Sequence, residues 1–384
     1  MATKRVAIVG VGYYGFRPVS PEVSFREMIY EAATRAYEDA GLEPKDIDGF
    51  VTAGEDWNEG HSIVDELAPD QLGAVKRPVF TVNGDAMHAF VSAYMHILTG
   101  QMDICLIESR SKASNIKNLH EITMMALDPI YTRPLDTSPY FIAGLEMNRY
   151  LYESGVTREQ CARVVIKNRR NALLNPYAGH GARLALDDVL NSDVISYPLT
   201  SLEISPHSDG CVVMILAEGK KAEVIRKDPI WIRGVGWCTE SYSLERRNWS
   251  QSVFTQKAAE MAYKMANIRF PKKEVHVAEV NDEFAYKELQ HLEALGLCRK
   301  GEAGHLIDEG ATEISGDLPV NPSGGCLGVG NLLEATGAQK LLEIVLQLRG
   351  EAGPRQVKNA EVGLAHNWRG LPTNSGAVVI LSNF

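Results

Sequence analysis

The chain has 384 residues, 45% hydrophobic and 33 of them glycine, with a formal charge of -10 and a pI near 5.6. That length suits two domains, or one with a large insertion, and the acidic balance argues against nucleic acid or an anionic membrane as a partner, leaving room only for a local basic patch at a phosphorylated cofactor. The six cysteines (Cys105, Cys161, Cys211, Cys238, Cys298, Cys326) form no C-x-x-C pair, and no run nears the roughly 18 apolar residues of a membrane span. The expectation is a cytoplasmic protein with reduced thiols and no metal site of its own.

In chain order, "RVAIVGVG" is a continuous β-branched run, as a strand buried on both faces should be. "SFREMIYEAATRAYEDAGL" predicts a helix. Ser24 is its N-cap with Glu27 at capping-box spacing, Phe25, Met28, Ile29, Ala32, Ala36 and Tyr37 form its apolar stripe, and Gly41 ends it. "IDGFVTAG" and "PVFTVN" read as strands, 84–99 as a helix and "DICLIES" as a strand. Between about 112 and 200 the alternation lapses, apart from the helical run "GVTREQCARVVIKNRRNALLNPYAG", whose KNRR (167–170) reads as a solvated face. Strands return in "GCVVMILAEG" and "PIWIRGVGW". The pattern then runs helix 251–267, strand "VHVAEVN", helix 284–295, the loop "NPSGGCLGVGN", helix 334–349, and strands "AEVGLAHN" and "GAVVILSNF". Such alternation predicts a layered α/β protein, and the two halves resemble each other.

Three turns could hold chemistry. Val82-Asn83-Gly84-Asp85 opens a helix, where exposed amides favour an oxyanion, although an Asn or Asp cap explains it as well. Asn281, Asp282 and Glu283 end a buried strand, more polar residues than a cap needs. "NPSGGCLGVGNLLEATG" holds five glycines in 17 residues, without the P-loop pattern or dinucleotide spacing.

"LPVNPSGGCLGVGNLLEATGAQKLLEIVLQLRGEAGPRQV" resembles the C-terminal signature of the thiolase superfamily, in its sterol-carrier-protein branch. "SPHSDGCVVMILAEG", "KNRRNALLNPYAG", "VNDEFAYKELQHLEALGLCRKGEAG" and "AHN…GAVVIL" resemble its other segments, so the similarity spans nearly the whole chain. The resemblance implies two similar βαβαβαββ halves in five layers with an inserted loop domain, divided here as 1–115, 116–200, 201–250 and 251–384. It implies coenzyme A as substrate or acyl carrier, with Gly324, Gly325, Cys326, Gly328 and Gly330 shaping the pantetheine tunnel, and a homodimer formed through the thiolase core. The acidic Glu55-Asp56 beside Trp57 would lie near that dimer contact.

At the catalytic positions the chain departs from the family. The nucleophilic cysteine falls on Asn83, the histidine of the GHP motif on Asn331, the histidine of the HDxF motif on Asn281, and an acid/base cysteine of some members on Glu283. His366-Asn367 match the HN pair, but an insertion, "WRGLPTN", follows. With an amide in place of the thiolate, the ordinary ping-pong route through that position is closed.

Three readings stay open on the sequence. The first is an acyl-CoA enzyme without a covalent intermediate, cleaving a β-oxoacyl-CoA by direct thiolysis or a β-hydroxyacyl-CoA by retro-aldol reaction. There Asn281 and Asn331 would donate to the enolate oxygen while Asp282, Glu283 or His366 move protons, and the resemblance implies a small zinc-bearing OB-fold partner subunit. The second is a non-catalytic subunit of an active thiolase or synthase. The third is a thiolase whose nucleophile has moved to Cys326.

Overall fold

The computed structural model describes residues 4–55, 63–241 and 243–384; Asp56 and Trp57, assigned above to a dimer contact, lie outside them. In the first half β1 (Val6–Arg17) leads into α1 (Phe25–Ala40), β2 (Gly49–Ala53), β3 (Val79–Val82), α2 (Ala86–Thr99) and β4 (Ile104–Lys112). An inserted region follows, with α3 (Tyr140–Ser154), α4 (Arg158–Ala172) and the small hairpin β5 (Val194–Ser196) and β6 (Leu199–Thr200), before β7 (Asp209–Glu218) closes the half. The second half runs β8 (Ile230–Thr239), α5 (Val253–Ala266), β9 (Val277–Glu279), α6 (Ala285–Ala294), the short α7 (Gly325–Val329), α8 (Thr336–Arg349), β10 (Val362–Trp368) and β11 (Ser375–Ser382).

Strands β1–β4 and β7–β11 join in the order β3-β2-β4-β7-β1-β8-β11-β10-β9. The two halves meet where β1 pairs antiparallel with β8 at Ala7–Trp231 and Ile8–Ile230. Each half is parallel at its outer edge and antiparallel towards the junction. Beyond β9 a single bridge, Ala278–Val320, stands where β3 stands in the first half.

The repeat is also visible in how each first strand meets its helix. β1 carries Gly10-Val11-Gly12 and β8 carries Gly234-Val235-Gly236. A Cβ on Gly12 would lie 2.1 Å from the Ala32 carbonyl of α1, and one on Gly236 1.9 Å from the Ala258 carbonyl of α5. Each glycine lets a small-residue helix face press onto the sheet. The apolar core falls into three main clusters: α1 on one face of the first half, α5 and α6 on the second half, and α2 with α8 between strands of both halves. The layers are therefore helix, sheet, paired helices, sheet, helix, the thiolase fold. The Ser24–Glu27 capping box and the left-handed Gly41 bound α1 as its sequence predicts.

Two features of the inserted region depart from the sequence reading. Helix α3 was not expected: it begins after Pro139 with four consecutive apolar residues and carries Gly144, so its periodicity is obscured. The KNRR run is only half solvated. Lys167 and Asn168 are buried, where the Lys167 ammonium donates to Glu288 at 2.7 Å and the Asn168 amide donates to Asp282 at 2.8 Å. A buried carboxylate needs such donors, and α4 supplies them to the second half.

Candidate active site

A cavity of about 990 Å³ opens between the halves and the inserted region. Its walls include Gly84 and Asp85 before α2, Tyr140 at the start of α3, His207, Asn281 and Glu283 before α6, Asn331 before α8, and residues 368–375 between β10 and β11. Backbone pairing knits the floor together. The Ser205 amide donates to the Glu283 carbonyl at 2.8 Å, the Ser208 amide donates to the Asn331 carbonyl at 3.0 Å, and Ile204 and His207 bridge Phe284 and Asn331. The segment 204–208 thus fixes the spacing between Glu283 and Asn331.

Glu283 has the properties of a general base. Removal from water pushes its carboxyl up to about 7, against the opposing pull of the buried Lys287 ammonium. Its amide donates to Asn281 Oδ1 at 3.1 Å, while its carboxylate oxygens have no hydrogen-bond partner among the described residues. Tyr140 lines the same space, its hydroxyl held protonated by burial and by the Glu283 charge. Asn331 offers a donor: its Oδ1 accepts from the Leu333 amide at 2.8 Å and the Thr336 hydroxyl at 3.3 Å, and Nδ2 has no protein partner among the described residues. Burial and the neighbouring His180 push His207 down to about 4, so its ring is neutral.

Residues 236–383 match the family described as thiolase C-terminal domain-like. An acetyl-CoA acetyltransferase of Methanothermobacter thermautotrophicus is 34% identical over 370 residues, covering 94% of this chain and 95% of its own. Sterol carrier protein 2 of Oryctolagus cuniculus is 29% identical over 410 residues, covering 98% of this chain and 71% of its own. A solved structure described as an Ltp2-ChsH2(DUF35) aldolase superimposes with a TM-score of 0.85 at 26% identity, covering 99% of this chain and 98% of that one. The chain belongs to the thiolase superfamily, in its sterol-carrier-protein branch.

As a thiolase it has an altered centre, and the structure corrects several expected roles. Asn83 is exposed and does not line the cavity. Gly84 faces it instead, at φ +108, a backbone conformation that favours glycine. Asp85 takes the cap that the sequence divided between Asn83 and Asp85, accepting from the Met87 amide at 2.8 Å. Asn281 borders the cavity, but its Nδ2 donates to Asn367 Oδ1 at 2.8 Å and to the Trp368 carbonyl at 3.5 Å, and Asn367 donates onward to Asp85 at 2.7 Å. It positions the centre and offers no free donor.

Asp282 is buried away from the cavity, accepting from the Cys326 and Leu327 amides at 2.6 and 3.2 Å and anchoring α7. His366 is fully buried: its Nε2 meets the Thr255 hydroxyl at 3.1 Å, and burial with His291 keeps it neutral. It cannot shuttle a proton to a cavity it does not line. The predicted tunnel residues Gly324, Gly325, Cys326, Gly328 and Gly330 are likewise buried outside the cavity wall. A Cβ on Gly325 would lie 2.2 Å from the Asp282 carboxylate, one on Gly324 or Gly328 would meet Ala172 of α4, and one on Gly330 would lie 2.1 Å from the Ser208 hydroxyl, so these glycines serve close packing. Burial holds the Cys326 thiol well above its ordinary range despite the Lys340 ammonium, and Cys326 does not line the cavity; both count against a displaced nucleophile.

The WRGLPTN insertion forms one wall. Trp368 Nε1 donates to the Thr373 carbonyl at 3.0 Å and the Arg369 amide donates to the Ser375 carbonyl at 3.0 Å. Arg247 ties the loop to α3, donating to the Pro372 carbonyl at 3.0 Å and to Glu146 at 3.0 Å. The Lys287 ammonium sits 4.3 Å above the Trp368 ring. The Arg369 guanidinium pairs with Glu55. His207, Tyr140 and Arg369 were not singled out from the sequence, and Gly84 stood in the helix-opening turn without a role of its own. The one available signal was the insertion, which could not say where its arginine points.

Proposed function

We propose that this enzyme cleaves or forms a carbon–carbon bond next to a CoA thioester without a covalent acyl-enzyme, by aldol chemistry on a β-hydroxyacyl-CoA. The observation that carries it is Glu283, a carboxyl with a pKa of about 7 at a cavity whose described lining has no thiol. In the cleavage direction Glu283 takes the β-hydroxyl proton. The oxygen forms a carbonyl as the Cα–Cβ bond breaks, and the electron pair moves to the α-carbon and thioester oxygen as an enolate. Asn331 Nδ2 donates to that oxygen, and the protonated Glu283 returns its proton to the α-carbon. Every atom is accounted for in a ketone or aldehyde and a shortened acyl-CoA.

Direct thiolysis by a free CoA uses the same groups, and the 34% identity to an acetyl-CoA acetyltransferase favours it as a second reading. It requires a second CoA beside the first. The two components in the name of the aldolase with this fold support a second, different subunit for this chain; the OB fold and zinc of that subunit, and a homodimer through the thiolase core, rest on the family resemblance alone. The test is turnover of β-hydroxyacyl-CoA and β-oxoacyl-CoA thioesters by the protein with its native subunits. A shortened acyl-CoA formed without free CoA supports the aldol reading. Acyl label retained on the protein after denaturation overturns it.

A further inference from the structure

We infer that Arg369 is a catalytic residue that binds the oxygen on the substrate's β-carbon; this rests on the acyl-CoA reading above. A Cβ built on Gly84 would lie 2.8 Å from Arg369 Nε and 3.2 Å from its Cδ and Cζ, so the guanidinium occupies the space a side chain at the start of α2 would take. One nitrogen, Nη2, is held by the largely buried Glu55. No other group among the described residues accepts from Nε or Nη1, about a third of the side chain is exposed, and the residue lines the cavity. A cation oriented by one carboxylate and left with donors facing a cavity is a ready partner for an oxygen.

The neighbouring residue says which oxygen. A Cβ on Gly370 would lie 3.2 Å from Glu283 Oε2, so the loop that carries the guanidinium also abuts the base. Asn331, the donor assigned to the thioester oxygen, comes from a different loop. The oxygen that surrenders its proton to Glu283 is therefore the one assigned to Arg369. As that proton leaves, the hydroxyl oxygen becomes an alkoxide and then a carbonyl when the Cα–Cβ bond breaks, and the guanidinium opposes the transient negative charge. The substrate class follows: acyl-CoA thioesters with a hydroxyl or carbonyl at the β-carbon, in preference to unsubstituted acyl-CoA.

The test uses two probes that differ at one atom, 3-hydroxybutyryl-CoA as both enantiomers and butyryl-CoA, titrated calorimetrically into the protein with its native subunits. One enantiomer should bind about tenfold tighter than butyryl-CoA or more, the gain expected of a hydrogen bond to a charged group. Arg369→Ala should reduce that preference to less than about twofold and leave butyryl-CoA affinity unchanged, which also shows that the variant is folded. Arg369→Gln, which keeps a donor for Glu55, should do the same if the alanine variant is unstable. Equal binding of the probes by the wild type, or a preference that survives in Arg369→Gln, overturns the role of Arg369 alone. If neither probe binds the wild type, the acyl-CoA reading falls and this inference with it.

Discussion

The Oδ1 of Asn331 accepts the Leu333 amide at 2.8 Å, which fixes the orientation of the side chain and leaves Nδ2 as its donor at the cavity. An amide donor stays neutral at every working pH, as an enolate partner should. Asn331→Ala should lower turnover by roughly a hundred- to a thousandfold while CoA affinity changes little, because the contact tightens only as charge develops. Steady-state kinetics on the native protein checks this; full turnover in the variant would make Asn331 structural.

Glu283 sets the pH dependence. A base must be ionised to act, so kcat/KM should rise with pH through a limb near 7, where burial has placed its carboxyl. Glu283→Gln should lower kcat by roughly a hundred- to ten-thousandfold and abolish the limb. Stability should move the other way. The folded carboxyl lies above its ordinary value of 4.5, so its contribution is complete below about 4.5 and is lost as pH rises through about 7. Above pH 7 the Gln variant should therefore melt at a higher temperature than the wild type, and a lower melting temperature there would count against the assignment.

Asp85 joins the two central helices. It accepts from the Met87 amide at 2.8 Å, from the Gly337 amide in the first turn of α8 at 2.9 Å, and from Asn367 at 2.7 Å. Asp85→Ala removes the acceptor of all three hydrogen bonds at a buried position and should cost roughly 2–4 kcal/mol of stability, read from the shift in urea midpoint. A shift equivalent to less than about 0.5 kcal/mol would show that the helix pair is held by apolar packing alone.

Cys326 should be chemically silent. Iodoacetamide should leave it unmodified in the native protein and alkylate it after denaturation, and Cys326→Ala should keep at least about half of the turnover, as expected for a small buried side chain replaced by one slightly smaller. Native labelling of Cys326 by an acyl-CoA would reinstate the displaced nucleophile.

The fold was legible because its signals are local and periodic. The capping box of α1, the β-branched run of β1 and the motif "NPSGG…LLEATG" each specify their own segment. The site was legible only in part, because strand-end residues alternate in direction. Asp282 and Glu283 are adjacent in sequence, yet Asp282 turns inward to anchor α7 and Glu283 turns to the cavity. The same one-residue ambiguity separates exposed Asn83 from cavity-lining Gly84. The glycine loop misled because close packing and ligand binding both call for residues without side chains, and only the position of α4 decides between them. Arg369 could not be placed at all, since an inserted loop has no pattern to follow.

The central claim, that Glu283 and Asn331 make and quench an enolate on an acyl-CoA without a thiolate, can be measured before the natural substrate is known. The protein is incubated with propionyl-CoA in D2O at a pH where Glu283 is ionised, alone and with any subunit that co-purifies, and deuterium at the α-carbon is followed by NMR. The account predicts exchange well above the buffer rate, reduced about a hundredfold or more in Glu283→Gln and in Asn331→Ala. Tight propionyl-CoA binding with no exchange above buffer, or exchange that persists in Glu283→Gln, would contradict it and leave the chain as a subunit that binds CoA without performing the chemistry.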